Sequence, residues 1–394
     1  MILGAGLLAQ TSFAAVAVGL PALAPALRSH YRLSLGETGV VLGAVGIGML
    51  PTLLPWGLLA DRVGERLVIV IGLAGGGLAV AAAAPTGSFA ALSGWLVVAG
   101  VLGASVNAAS GRAVMGWFGP EERGLALGIR QTAIPIGGAA AAAGLPWLAS
   151  AGGTRLAFVV HGCGCLGGSL VAGALMREAP ARTPELGDVT RPAHDPRMWL
   201  LAGGSALYLT SQIAITGFVV LFLHEHRGLS THAAATILAG INVLGIGARI
   251  GAGRWSDRVR RRLGPMRAIG LALTAGTAAV AGLVDAPLGA LVPAVTVCGV
   301  LGLAWNGLAF TAAAEAAGPA RSGAALGFQQ TALGVMVAVV PPAFAAVVAA
   351  SSWRVAFALA AVGPLLGIVA LRRVPEATPA GRRLGMSAIP PAAR

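Results

Sequence analysis

Gly57-Leu-Leu-Ala-Asp61-Arg62-Val63-Gly64-Glu65-Arg66 closes one long apolar run and opens the next. The pattern returns 196 residues later as Gly253-Arg-Trp-Ser-Asp257-Arg258-Val259, followed by Arg260, Arg261 and Arg262. A short charged hinge between two apolar runs of membrane-crossing length reads as a membrane hairpin. Its recurrence makes that hairpin part of a repeated half. At the same offset Leu33-Ser34 matches Leu229-Ser230. Further along the offset becomes 199: Asn107 matches Asn306, Gly119-Pro120 matches Gly318-Pro319, and Leu127-Gly128 matches Leu326-Gly327. Gln131-Thr132 matches Gln330-Thr331, and Arg155-Leu-Ala-Phe158 matches Arg354-Val-Ala-Phe357.

Composition agrees. The 394 residues are 56% hydrophobic and 10% charged, with mean hydropathy +0.82. Soluble domains carry about 25% charged residues, so this chain is suited to face lipid. Its 59 glycines fit close helix packing there. Apolar runs fall at 3–27, 37–60, 67–85, 89–117, 124–149 and 154–176, then at 198–223, 232–253, 266–284, 288–312, 323–349 and 354–371. The expected fold is an all-α membrane protein with twelve transmembrane helices in two pseudo-symmetric six-helix bundles. Residues 1–177 form the first bundle and 198–373 the second. The Pro-rich stretch 178–197 reads as a cytoplasmic linker and 374–394 as a cytoplasmic tail. Met1 runs into apolar sequence without a basic leader, so the first run is expected to stay as a helix.

The net charge of +13 comes from 27 basic residues, all arginine. Their placement argues against nucleic acid as a partner. With the N-terminus in the cytoplasm, nineteen arginines fall in cytoplasmic loops and the tail, and five (Arg28, Arg32, Arg155, Arg227, Arg354) in outer loops. This asymmetry follows the positive-inside rule and places both termini on the cytoplasmic side of an inner or plasma membrane. The three cysteines lie in apolar stretches; Cys163 and Cys165 with nearby His161 allow a metal site, but helix packing is the preferred reading. No metal and no cofactor are expected.

The Gly57 to Arg66 motif closely resembles the loop 2–3 signature of the major facilitator superfamily, and the Gly253 to Arg262 copy stands where that family repeats it. The resemblance covers nearly the whole chain. It implies a secondary transporter, with Gly57, Asp61, Arg62, Gly64 and Arg66, and the copy's Asp257 and Arg258, as gating residues that hold the outward-facing state. Arg260 in place of the second glycine leaves an equal role for the copy in doubt. The alternative is a topogenic charge cluster. Repeated halves place substrate at the repeat interface.

Charges inside spans are costly and mark function. Arg112, Arg130 and Arg249 lie roughly 8–12 Å inside the cytoplasmic helix ends at about 1.5 Å per residue. Arg112 and Arg130 flank the Gly119-Pro120 turn and are expected to converge on one anion. Arg249 resembles the helix 8 arginine of the monocarboxylate and oxalate/formate branches, which implies carboxylate binding. The segment Arg130 to Gly138 resembles helix 5 of cyanate-permease-like and other organic-anion branches. Asn107, Gln131, Gln212, Asn242, Asn306, Gln329 and Gln330 supply neutral hydrogen-bonding groups for the same site, with positive charge expected to be heavier in the first half. For each arginine the alternative is a structural tie or snorkelling.

No carboxylate falls in the middle of a run, so the usual proton carrier of drug antiporters is missing. His161 is the candidate proton site, with helix packing as its alternative. No catalytic constellation or phosphate-binding loop occurs, so an enzyme is not expected. The reading is a monomeric transporter of a small organic or inorganic anion working by alternating access, with the lipid bilayer as solvent and a proton as candidate coupling ion. The alternatives are a proton-coupled efflux antiporter and a non-transporting sensor on the same fold.

Overall fold

In a computed structural model the described residues are 2–117, 128–177, 194–317 and 322–376, and among them every regular element is helical. The first half holds α1 (Ile2–Tyr31), α2 (Leu35–Met49), α3 (Leu53–Val63), α4 (Glu65–Ala83), α5 (Phe89–Trp117) and α6 (Ala133–Leu175). The second holds α7 (Pro196–Ala206), α8 (Leu209–Thr216), α9 (Val219–Leu221), a π-helical turn (Phe222–His226), α10 (Thr231–Val259), α11 (Leu263–Gly282), α12 (Leu288–Ala304), α13 (Asn306–Ala317), α14 (Ser322–Ala350) and α15 (Trp353–Arg372). Lipid offers no hydrogen bonds, so a spanning segment must satisfy its backbone internally, which a helix does. Eleven stretches are long and apolar enough to cross a membrane, and one, Gly128–Leu175, has 48 residues. Non-helical backbone at Gly152 and Gly153 bends it into two arms. This is the twelve-span architecture. Exposed Leu54, Leu78, Trp147, Leu170 and Leu271 form its lipid-facing skin.

Three of the predicted runs are broken. The second breaks between α2 and α3 beside Pro51, and the tenth at Trp305 between α12 and α13. The seventh becomes α7, α8, α9 and the π turn. It also starts earlier than predicted: Pro196 and Arg197, read as linker, open α7 behind an Asp195 cap. Residues 178–193 of the predicted linker and 377–394 of the predicted tail lie outside the described residues.

The repeat is visible in the backbone. Ser34 caps α2 by accepting from the Glu37 amide, and its mate Ser230 caps α10 by accepting from the Ala233 amide. Arg32 (φ 53°) and Gly228 (φ 73°) are left-handed mates, as are Gly64 (φ 92°) and Arg260 (φ 54°). The left-handed region costs an ordinary residue roughly 1–2 kcal/mol. Each pair therefore puts glycine in one half and arginine in the other at a positive φ. Arg260 keeps the positive φ of the glycine position but not its ψ, which is 33° against 158° at Gly64. Side chains repeat as well: Arg28 Nε donates to the Leu33 carbonyl at 3.2 Å, and its mate His224 bonds the Leu229 carbonyl at 2.7 Å.

The halves meet through α2 against α14, α6 against α10, and α1 against α9. Along the first seam Gly39 faces Pro341 and Ala345, Gly43 faces Ala338 and Pro342, and Gly46 faces Val337. Glycines on one helical face let the two backbones approach closely. Arg28 and Glu225 form an ion pair across the halves at the same end. In the second half, Asp285 binds Arg354 and His226, each at 3.0 Å. The Arg354 guanidinium, then His226, holds the Asp285 carboxyl below its ordinary range. After the Pro51 break, α3 packs on α4 and α5 of its own half. This conformation is closed at the Arg28 end, and the α2–α3 span turns back to its own bundle toward the Asp61 end.

Candidate functional site

Arg130 sits in the helical stretch 128–131 that leads into α6. It is 9% exposed. Its Nε donates to Ser110 Oγ at 2.9 Å. Its Nη2 donates to the Asn107 carbonyl at 2.8 Å and to Gln10 Oε1 at 3.4 Å. Its Nη1 approaches Gln131 Oε1 at 3.5 Å. Gln10 Nε2 donates in turn to Asn107 Oδ1 at 2.6 Å. α1, α5 and the start of α6 thus share one polar network. Asn107 and Ser110 are three residues apart on α5, which puts them on one helical face.

Arg249, on α10 of the other half, is 8% exposed. Its Nε donates to the Leu303 carbonyl at 3.2 Å, two residues before the helix break at Trp305. Its Nη1 donates to the Gln131 carbonyl at 2.7 Å. Gln131 therefore stands between two arginines, one from each half, with its side chain toward Arg130 and its carbonyl toward Arg249. Among the described residues, both guanidiniums bond neutral acceptors only.

The structure gathers Arg130, Gln131, Asn107 and Arg249. The other predicted residues are distributed around them. Asn306 donates to Gln212 Oε1 at 3.2 Å inside the second half. Asn242 donates to the Leu238 carbonyl and lies against Gly138 across the seam. Gln330 is half-buried, and its neighbour Gln329, the repeat mate of Arg130, is wholly enclosed and bonded to Ser205. The side chain of Arg112 lies outside the described residues, so its convergence with Arg130 does too. The expectation that positive charge is heavier in the first half rests on Arg112 as well as Arg130; among the described residues each half contributes one arginine to this cluster. His161 packs beside Gly19 of α1 and bonds the Ala15 backbone. Sequence reasoning missed Ser110 as an Arg130 partner, although its spacing from Asn107 signalled it.

Of the gating residues, Gly57 is half-buried at the α3 face, and Asp61, Arg62 and Arg66 are exposed beside the Gly64 turn. In the copy, Arg258 is exposed and Asp257 pairs with Arg262. Arg262 also bonds Glu315 on α13 at 3.0 Å. The second hinge is thereby tied to its own bundle.

The model of the Major Facilitator Superfamily matches residues 3–341. The chain belongs to the major facilitator superfamily. The uncharacterized MFS-type transporter Rv2994 of Mycobacterium tuberculosis is 34% identical over 355 residues, covering 89% of this chain and 79% of that one. The probable sulfoacetate transporter SauU of Cupriavidus necator is 26% identical over 275 residues, 64% of this chain and 63% of that one. Among solved structures, a D-xylose-proton symporter superposes with TM-score 0.77 at 14% identity, covering 95% and 97% of the two chains. A bacterial homolog of the human lysosomal transporter Spinster superposes with TM-score 0.74 at 17% identity, covering 94% of each. These structures carry the same fold. This MFS protein is a multi-pass membrane transporter of the secondary type and not an enzyme.

Proposed function

We propose that this MFS transporter carries a small anion by alternating access, and that the anion binds between Arg130 and Arg249. One observation carries the reading. Two enclosed guanidiniums from opposite halves meet at Gln131 with neutral partners only among the described residues. A buried cation without a counter-charge is costly. A site that loads and unloads an anion accounts for that cost. The position fits as well, because substrate in repeat transporters lies where the repeats meet. SauU, a relative named for an organic anion, supports the same class.

The arginine asymmetry supports an inner- or plasma-membrane location with both termini and the Asp61 end in the cytoplasm. One bundle pair, 1–177 with 198–373, is the working unit, so a monomer suffices. Asp61 and Arg62 then hold the cytoplasmic end when the Arg28 end opens.

The test is uptake into proteoliposomes holding the purified full chain. A panel of small carboxylates, cyanate and nitrate is run against cationic drugs. Saturable uptake of an anion is the expected result. Saturable movement of cationic drugs with no anion moved would overturn the reading in favour of efflux.

A further inference from the structure

Donor geometry at this site narrows the cargo. A guanidinium has five N–H donors. Arg130 commits Nε to Ser110 and Nη2 to Asn107 and Gln10, which leaves the Nη1 edge with a 3.5 Å approach to Gln131 Oε1. Arg249 commits Nε to Leu303 and one Nη1 donor to Gln131, and its Nη2 has no partner among the described residues. The enclosed, unpartnered side-chain atoms among the described residues are Ser93 Oγ, Ser105 Oγ, Arg267 Nε, Trp305 Nε1 and Gln329 Oε1. Arg249 Nη2 is not one of them, so it borders open space. The available edges of the two arginines are therefore the Nη1 side of Arg130 and the Nη2 side of Arg249. Gln131 bridges them, offering Oε1 to one and its carbonyl to the other.

We propose that the cargo is a dianion: a small molecule with two oxyanion groups on a short linker, one group for each guanidinium. The proposal rests on the anion reading above. Two positive charges stand at this seam, held by neutral oxygens. A monoanion leaves one of them uncompensated in a low-dielectric setting, where charges are expensive; a dianion compensates both. Each oxyanion takes a donor pair in the bidentate manner that suits arginine. The second group replaces the Gln131 carbonyl as the partner of Arg249. The linker is short because both present acceptors belong to a single residue. Cargo of this kind ties α10 to the start of α6 and so acts on the seam that joins the halves.

The experiment is titration calorimetry at pH 7 on the purified full chain, using chain-matched pairs: propionate against malonate, and butyrate against succinate. Each dianion is expected to bind at least about tenfold tighter than its monoanion, with tenfold equal to about 1.4 kcal/mol. Arg249→Gln is expected to erase the preference: dianion affinity falls to the level of the chain-matched monoanion, whose own affinity falls less. Arg249→Lys, which keeps the charge, is expected to retain a preference for the dianion, and it serves if the glutamine variant does not give a monodisperse protein. Equal affinity for mono- and dianions in the unaltered chain overturns the proposal and leaves the anion reading standing. So does an Arg249→Gln variant that weakens both classes equally. Binding of neither class sinks the anion reading itself.

Discussion

Arg130→Gln abolishes cargo binding and uptake while the protein stays folded. Glutamine is the residue that the second half places at the equivalent position 329, so the helix tolerates its size and hydrogen-bonding character. What disappears is the charge and the planar fork. Losing one partner of a buried charge-assisted contact costs about 2–5 kcal/mol, or roughly 30- to 5,000-fold in affinity. The folding cost is smaller. Ser110 Oγ keeps its bond to Gln10 Oε1 at 2.9 Å, so the group that loses its Arg130 donor without that compensation is the Asn107 carbonyl, at about 1–3 kcal/mol. Against that stands relief from enclosing a cation. The check is a dissociation constant measured on monodisperse protein beside its melting temperature. Retained affinity makes Arg130 a strut that braces Gln10 and Ser110.

Gly39→Leu is expected to stop transport without stopping binding. A Cβ at position 39 would stand 2.7 Å from the Pro341 carbonyl oxygen and 3.0 Å from the Pro342 Cα. Those are backbone atoms of α14, so the obstacle cannot swing aside as a long side chain would. Overpacking of this kind costs typically 1–3 kcal/mol. Within one bundle it would unfold the bundle. Here it lies between the halves, so it is relieved by parting α2 from α14 at the Arg28 end. The variant should rest with that end open. In a cysteine-less background, spin labels at His30 and His232, both exposed at that end, are expected to show a longer distance in Gly39→Leu than in the parent. An unchanged distance with normal uptake would remove this seam from the gating account.

Much of the fold was legible because membranes impose few solutions. The twelve runs, the 196-residue offset and the arginine asymmetry are each coarse signals, and they agree. The pair Gly64 and Arg260 shows how far the repeat goes: a positive φ persists where residue identity does not. The helix breaks at Pro51 and Trp305 were not legible, because an apolar run reads the same whether its helix is whole or jointed. In lipid, proline and local irregularity are tolerated where neighbours satisfy the freed groups. The span boundary at Pro196 was hidden for a different reason, since Asp195 and Pro196 form a cap that composition reads as linker.

The site was half legible. Arg130 and Arg249 stood out as charges inside apolar runs, and position alone flagged them. Their meeting at Gln131 did not follow from sequence, because it depends on how α10 lies against α6 across two bundles. The same holds for the Arg28–Glu225 pair, whose partners are 197 positions apart in the chain. Asn306 shares type and repeat position with Asn107, and Gln329 shares the repeat position of Arg130, yet both bond inside the second half. Only packing separates them: Gln329 is wholly enclosed against Ser205, whereas Arg249 keeps an edge on open space.

The most direct test of an anion held between the two halves is anomalous diffraction from crystals of the full chain soaked in selenate, with selenium marking the anion. The account predicts one strong selenium peak at the Gln131 seam, about 4 Å from the nearest guanidinium nitrogens of both Arg130 and Arg249, one N–H···O bond plus the Se–O bond away. A peak elsewhere, or an empty seam at saturating selenate, would contradict it.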